Sequence, residues 1–302
     1  MTRKWDVNMG RLRNFLRNLN YLTKHSLWDQ REEDIVYLTN KILDDVQYEY
    51  KIFNAGTKKP HILDEEESLD MILSSKKSFV RTGDGEIKIM MGLDQPFQEY
   101  DAELADGLKR LLHGDNENLL VGINRNYYIP GYERNYSPFY RRFAYDYRKY
   151  YETVLNLNVT YIDSTCTGYS FGEHDNPVVI SRYERWKNAF RDKDIVLISG
   201  NGVLEKLEND VFELAKSKTF IPAPAINAWK EHDRIMSDIT QSVSKESILV
   251  FILGMAGKVM SLELTELGYT CWDVGHLAKY YDAFMKGMEG TDENRQKFYA
   301  PD

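Results

Sequence analysis

Two kinds of apolar spacing alternate along this chain from residue 61 onward. Runs such as Ile195-Val196-Leu197-Ile198 and Ile248-Leu249-Val250-Phe251-Ile252-Leu253 carry no polar residue at every second place. Bounded by turns and separated by helical spacing, they read as strands covered on both faces, and so as a largely parallel sheet. Further strands are expected near 78–81, 119–123, 159–163, 219–221 and 269–274. Between them, helical spacing predicts a helix from a cap at Asp64 to about residue 75, with Leu69, Ile72 and Leu73 on one face, and another from a cap at Asp101 over 102–112. An aromatic helix is expected over 137–155, and others over 179–190, 203–216, 228–240, 257–267 and from His276 onward.

Strand and helix in alternation give an α/β fold, doubly wound and Rossmann-like. Residues 1–58 differ, with Ile35, Leu38, Ile42 and Val46 at helical spacing and a linker-like Ala55-Gly56-Thr57-Lys58-Lys59-Pro60. The expected division is an N-terminal helical extension over 1–58 and a catalytic α/β domain over 59–302.

Charge narrows the partners. A net charge of −8, from 39 Lys and Arg against 47 Asp and Glu, argues against nonspecific nucleic-acid binding. The basic residues Arg3, Lys4, Arg11, Arg13 and Arg17 form a solvated face, or a surface in residues 1–30 for peripheral contact with an anionic membrane. No apolar run approaches the roughly 20 residues of a membrane span, and the first residues show no signal-peptide core. The expectation is a cytoplasmic protein, with the inner face of the membrane within reach. Cys166 and Cys271 are too few for a disulfide framework and read as buried free thiols.

In doubly wound sheets, ligands bind beyond the carboxyl ends of the strands, which gathers several loops into one crevice. The first is Arg81-Thr82-Gly83-Asp84-Gly85-Glu86, a glycine loop between strand and helix. Its amides suit a phosphate, and Asp84 and Glu86 offer the oxygen donors that Mg²⁺ or Mn²⁺ prefers. The same pair also suits a structural role, Asp84 capping the next helix and Glu86 in its first turn. Gly254-Met255-Ala256-Gly257-Lys258 again follows a strand and opens a helix, with Lys258 as a cation for phosphate. It matches neither the Walker A nor the G-x-G-x-x-G pattern. Asp273-Val274-Gly275-His276 sits at a third strand end, where His276 can reach a phosphate or metal, or accept a proton. Ser199-Gly200-Asn201-Gly202 faces the same crevice. The other five histidines (His25, His61, His113, His174, His232) show no metal-ligand spacing.

Taken together, these pieces resemble one family. Phe79-Val80-Arg81-Thr82-Gly83-Asp84-Gly85-Glu86 resembles the F-x-R-x-G-D-G-E signature of the bacterial GT-D-fold glycosyltransferases. Asn209-Asp210-Val211-Phe212 is similar to the family's N-D-L-F segment, and Pro224-Ala225-Ile226-Asn227-Ala228 to its P-x-x-N-A segment. Leu253-Gly254-Met255-Ala256-Gly257 stands where the family has an L-G-P-T-A-like loop, with Met255 and Ala256 replacing the usual Pro-Thr. Asp273-Val274-Gly275-His276-Leu277, with Tyr280, resembles its D-[IV]-G-H motif. The similarity spans about residues 63–286, with divergence over 199–206.

The resemblance implies a GT-D-type fold and a hexosyltransferase using a nucleoside diphosphate sugar, typically a UDP-sugar, with Mn²⁺ or Mg²⁺. It implies Asp84 and Glu86 as metal and catalytic carboxylates, with His276 beside them. Arg81, Gly83, Gly85, Gly254, Lys258 and Asn227 are then expected around the donor. Asp163, His174 and His276 are candidates for the base that deprotonates an acceptor hydroxyl. The acceptor is a glycan, lipid-linked or protein-attached, in polysaccharide or glycoconjugate synthesis, and a homo-oligomer is compatible with all of this. Two rivals remain. An S-adenosylmethionine-dependent methyltransferase would need an acidic residue closing the strand that instead ends Gly122-Ile123-Asn124. A nucleotide-binding module without catalysis is the other.

Overall fold

The eight strands β1 (His61–Ile62), β2 (Ser78–Arg81), β3 (Leu119–Ile123), β4 (Thr160–Asp163), β5 (Asp194–Gly200), β6 (Ser217–Ala223), β7 (Ile248–Ile252) and β8 (Thr270–Asp273) form one sheet. Its order is β1-β4-β3-β2-β8-β7-β5-β6, and every pairing is parallel. The computed structural model describes residues 59–128, 147–168 and 171–299, besides the isolated positions Leu16 and Thr39. Apart from those two positions, these residues belong to one unit, residues 57–129 with 146–302. The extension expected over 1–58, including the surface of residues 1–30, lies outside the described residues. So does the first part of the aromatic helix, whose end is seen as helical residues 147–154.

The unbroken apolar runs are explained by two-sided cover. Ile248, Val250 and Ile252 of β7 pack with Val179, Tyr183, Trp186 and Leu277 on one face. Leu249 and Phe251 pack with Ile235, Ile239, Met260 and Leu264 on the other. Burying each such side chain contributes about 1.5–3 kcal/mol, so losing cover on either face would be costly. The covering helices are α1 (Glu65–Ser74), α2 (Asp84–Met90), α3 (Ala102–His113), α4 (Pro177–Phe190), α5 (His232–Ser242), α6 (Gly254–Glu266) and α7 (Leu277–Met285), with α8 (Asp292–Tyr299) at the end. Both expected aspartate caps form. Asp64 closes a capping box with Glu67 at 2.9 Å in each direction, and Asp101 accepts from the Glu103 and Leu104 amides. Gly107 lets α3 approach α6 closely, since a Cβ there would lie 2.6 Å from Val259 Cγ1. Both cysteines are free and buried.

One expected element is absent. Residues 203–216 form a run of turns rather than a helix. Asp282, from α7, accepts the Glu208 and Asn209 amides and Asn209 Nδ2 through Oδ1, and Asp210 Oδ1 takes the Phe212 amide. Side chains thus claim the amides a helix would use. Phe212 still reaches the core, edge-on to Phe190 with ring centroids 4.9 Å apart.

The sheet also fixes where a ligand can enter. From β2 the chain steps to β3 and β4 on one side, while β8 borders β2 on the other and leads to β7. That reversal opens a crevice between the β2 and β8 ends, where Arg81 and Asp273 close their strands.

Candidate active site

A cleft of about 560 Å³ occupies that switch point. Arg81, Gly83, Asp84, Gly85, Glu86, Gly254, Lys258 and His276 all line it. Loops after β2, β7 and β8 therefore converge as the strand-end rule requires. Asn227, Asp163 and His174 do not line it. Asp163 is buried behind Ser164, where burial raises its carboxyl pKa against the opposing hydrogen bonds from Thr165. His174 sits beside Asp175 at 3.3 Å, in a separate small recess with Phe171 and Tyr183.

At the polar end the hub is Asp273, almost fully buried. Its Oδ2 accepts the Arg81 amide at 3.1 Å and lies 3.3 Å from Lys258 Nζ. Its Oδ1 accepts the Gly275 amide at 3.2 Å. The Arg81 side chain then folds across the strand end, donating from Nε to the Asp273 carbonyl at 3.1 Å and from Nη1 to the Ser164 carbonyl at 3.3 Å. Gly275 makes this path available. A Cβ there would fall 1.5 Å from Arg81 Nη2, and its φ of +51° already favours glycine. Arg81 is a cation fixed by backbone carbonyls before any ligand arrives.

Lys258 is buried, and a buried ammonium needs partners. It has Glu86 Oε1 at 3.2 Å, Asp273 Oδ2 at 3.3 Å and the Gly254 carbonyl at 3.2 Å. Burial works to lower its pKa, but the Asp273 and Glu86 carboxylates outweigh that and hold it above the ordinary lysine value.

Asp84 and Glu86 do not share one face, because α2 begins at Asp84. Positions two apart on a helix do not face each other. Glu86 is buried, with Oε2 accepting the Gly83 amide at 2.6 Å and Oε1 on Lys258. Asp84 is exposed and has Lys88 Nζ at 3.1 Å, one turn on. Among the described residues no cluster of three or more His, Cys, Asp or Glu side chains is arranged to hold a metal ion.

His276 opens α7 at the cleft rim. The residue is exposed at that rim, yet the protein atoms around its imidazole displace part of its hydration. That loss of solvent, then the charges of Arg81, Lys279 and Lys258, push its pKa down to about 4 against the pull of Asp273. The imidazole is therefore neutral at pH 7.

The other end of the cleft is apolar. Pro96 and Phe97 form the tip of a two-residue hairpin closed by reciprocal backbone bonds between Gln95 and Gln98. Val203, Ala225 and Ala228 complete that end, while Ile252 and Leu253 lead into the Gly254 loop beside Lys258. Asn227 lies behind it, as a clasp on the hairpin. Its amide donates to the Phe97 carbonyl at 2.8 Å, and its Oδ1 accepts the Glu99 amide at 2.7 Å.

Sequence reasoning missed the Gln95–Gln98 hairpin altogether, although Asp94-Gln95-Pro96 was a turn signal. It quoted Asp273 and Gly275 without assigning them a part. Nothing local showed that Asp273 would serve Arg81 and Lys258 together.

Comparisons with known proteins point to one fold family. The model of the glycosyltransferase GT-D fold family matches residues 79–301. A probable glycosyl transferase, Gly, of Streptococcus gordonii is 26% identical over 237 residues, covering 75% of this chain and 33% of that protein. Glycosyltransferase GlyD of Streptococcus pneumoniae serotype 4 is 27% identical over 237 residues, 74% of this chain and 28% of its own length. This chain thus spans about a third of the length of these curated relatives. Among solved structures, domain of unknown function 1792 superposes with a TM-score of 0.69 at 25% identity, covering 81% of this chain and 92% of that one. A structure of the same domain described as having a distinct glycosyltransferase fold gives 0.69 at 23% identity, covering 87% and 95%. A glycosyltransferase of that domain from Streptococcus sanguinis gives 0.68 at 22%, covering 80% and 93%. At those last two identities the likeness speaks for the fold alone. With the loops after β2, β7 and β8 brought together around one cleft and the family model matched from β2 to the C-terminal helix, the chain belongs to the GT-D-fold glycosyltransferase family.

Proposed function

We propose that this cleft binds a nucleoside diphosphate sugar, with UDP as the nucleotide, and transfers its glycosyl group to the hydroxyl of a glycan, lipid-linked or protein-attached acceptor. The observation that carries this reading is the convergence of Arg81, Lys258 and the N-terminus of α6 on one cleft at the switch point. The first amides of a helix lack intrahelical partners and carry positive potential, which suits a diphosphate. The apolar end, walled by Phe97, Val203 and Ala228, suits the flat face of a nucleobase.

In the transfer, the bond from the sugar anomeric carbon to the diphosphate oxygen breaks and a bond to the acceptor oxygen forms. The acceptor proton goes to a base, and UDP leaves. Charge grows on the diphosphate as its bond breaks, so pre-fixed donors there stabilise the transition state. Arg81 and Lys258 are already held in place and need no reorganisation to act. We assign proton removal to His276, which is neutral at pH 7 and borders the cleft.

The donor set fits a hard divalent cation through Asp84, an exposed carboxylate paired with Lys88 at 3.1 Å. Such ions take one or two carboxylates together with substrate phosphates. Glu86 lies behind it, its oxygens engaged by the Gly83 amide and Lys258. When bound, the cation would neutralise charge on the leaving diphosphate. Among the described residues no helix is long and apolar enough to cross a membrane.

Calorimetric titration tests the reading. UDP is expected to bind wild type, more tightly with Mn²⁺, and at least tenfold more weakly to Asp84→Asn in Mn²⁺. Absence of binding by any nucleoside diphosphate, with binding of S-adenosylmethionine, would overturn it.

A further inference from the structure

We propose that Asn227 is a positioning residue for the donor, acting through the Pro96–Phe97 hairpin that walls the apolar end of the cleft. This rests on the donor reading above and adds to it a residue that does not itself line the cleft.

The hairpin cannot fix its own position. Its ladder is the single reciprocal pair Gln95–Gln98, far short of what holds an isolated hairpin in water. Asp94 Oδ1 closes its base on the Tyr100 amide at 2.7 Å, and residues 227–230, more than a hundred positions later in sequence, tie it to the rest of the fold. Asn227 grips it from backbone and side chain at once, at the Phe97 carbonyl and the Glu99 amide. Trp229 extends the clasp, its amide donating to Gln98 Oε1 at 3.2 Å and its indole Nε1 to Asp101 Oδ1 at 3.0 Å. Lys230 closes it on Glu99 at 2.7 Å.

The conformation explains why asparagine stands here. Asn227 has a φ of +56°, in the left-handed region that asparagine enters more readily than most side chains. That twist aims its amide and its Oδ1 at the same hairpin. Glycine would accept the twist and lose the side-chain bond, whereas aspartate would keep both. The neighbours Ala225 and Ala228 line the cleft, and Ala225 packs so tightly on Gly200 that a Cβ on Gly200 would lie 2.8 Å from its Cα. Asn227 therefore ties two walls of the apolar end together. Phe97, at the hairpin tip, lines the cleft and is 38% exposed, so its ring is available to a flat apolar group there. The chemistry it fits is the face of a nucleobase.

The test compares Asn227→Gly, Asn227→Asp and Phe97→Ala in the full chain, each first shown to melt cooperatively. Hydrogen exchange at the Glu99 amide reads the clasp, and donor KM and kcat with a UDP-sugar read its effect. Asn227→Gly is expected to speed Glu99 exchange about tenfold and raise donor KM five- to tenfold, about what one lost hydrogen bond allows, with kcat within twofold. Asn227→Asp should restore both readouts. Phe97→Ala should raise KM without further loss when combined with Asn227→Gly. Faster Glu99 exchange with unchanged donor KM would overturn the positioning role while leaving the donor reading intact. A wild type that binds no nucleoside diphosphate would overturn the donor reading itself, and the inference with it.

Discussion

Lys258 Nζ stands 3.2 Å from Glu86 Oε1, joining the second turn of α6 to the first turn of α2 inside the fold. Asp273, at the end of β8, completes the triangle at 3.3 Å. The candidate donor site is thus built on a buried set of two carboxylates and one ammonium. Removing the ammonium takes the close cation from both carboxylates and leaves them with amide donors and the Arg81 guanidinium. Breaking a buried ion pair from one side costs about 3–5 kcal/mol. Lys258→Met should therefore lower the unfolding midpoint sharply in chemical denaturation. Adding Glu86→Gln should recover part of the loss, because one of the two carboxylate charges is then removed.

Gly275 and Arg81 give a second prediction. Gly275→Ala would drive a methyl group into the guanidinium path and must push Arg81 off the Asp273 and Ser164 carbonyls. Donor kcat/KM should fall by about a hundredfold, the scale of losing one preorganised donor to a developing oxyanion. Arg81→Lys should fall similarly, because a single ammonium cannot reproduce a guanidinium fork. Steady-state kinetics at saturating metal measures both.

His276 sets a pH dependence. Its folded pKa, about 4, lies below the ordinary 6.5. Between those values the unfolded chain binds more protons than the folded one, so stability rises with pH across that window. Above it the His276 contribution is constant, and it is lost as pH falls from 6.5 towards 4. Urea midpoints of wild type should drop relative to His276→Asn across that interval. If His276 takes the acceptor proton, the acid limb of kcat/KM should also sit near 4. A limb at 6.5 would count against it.

Much of this was legible along the chain. The unbroken run from Ile248 to Leu253 announced a strand with both faces covered, and two clusters cover it. The strand-end rule alone brought Arg81, Gly83, Asp84, Gly85, Glu86, Gly254, Lys258 and His276 to one cleft. What stayed hidden depends on distant partners. Residues 203–216 carry helical composition, and Asp282, far along the chain, claims two of their amides. Asn227 sits in a recognisable segment, yet its partners Phe97 and Glu99 belong to a hairpin without a strong signature. For Lys258, the local pattern suggested a cation for phosphate. Burial beside Glu86 and Asp273 made it an internal counter-ion as well.

Glycine packing offers a check on the scaffold beneath the site. Gly107→Ala would place its methyl 2.6 Å from Val259 Cγ1, on the helix that carries Lys258. Overpacking of this kind costs about 1–3 kcal/mol. Thermal unfolding should show the loss, with smaller change in donor KM than Gly275→Ala produces.

The central claim is that this cleft turns over a nucleoside diphosphate sugar with Asp84 at its metal-dependent end. The most direct measurement is UDP release from UDP-sugars, with Mn²⁺ or with chelator, by wild type and Asp84→Asn. The account predicts release by wild type that chelation suppresses, and a fall of at least a hundredfold in Asp84→Asn with Mn²⁺. Undiminished release by Asp84→Asn, or by wild type in chelator, would contradict it.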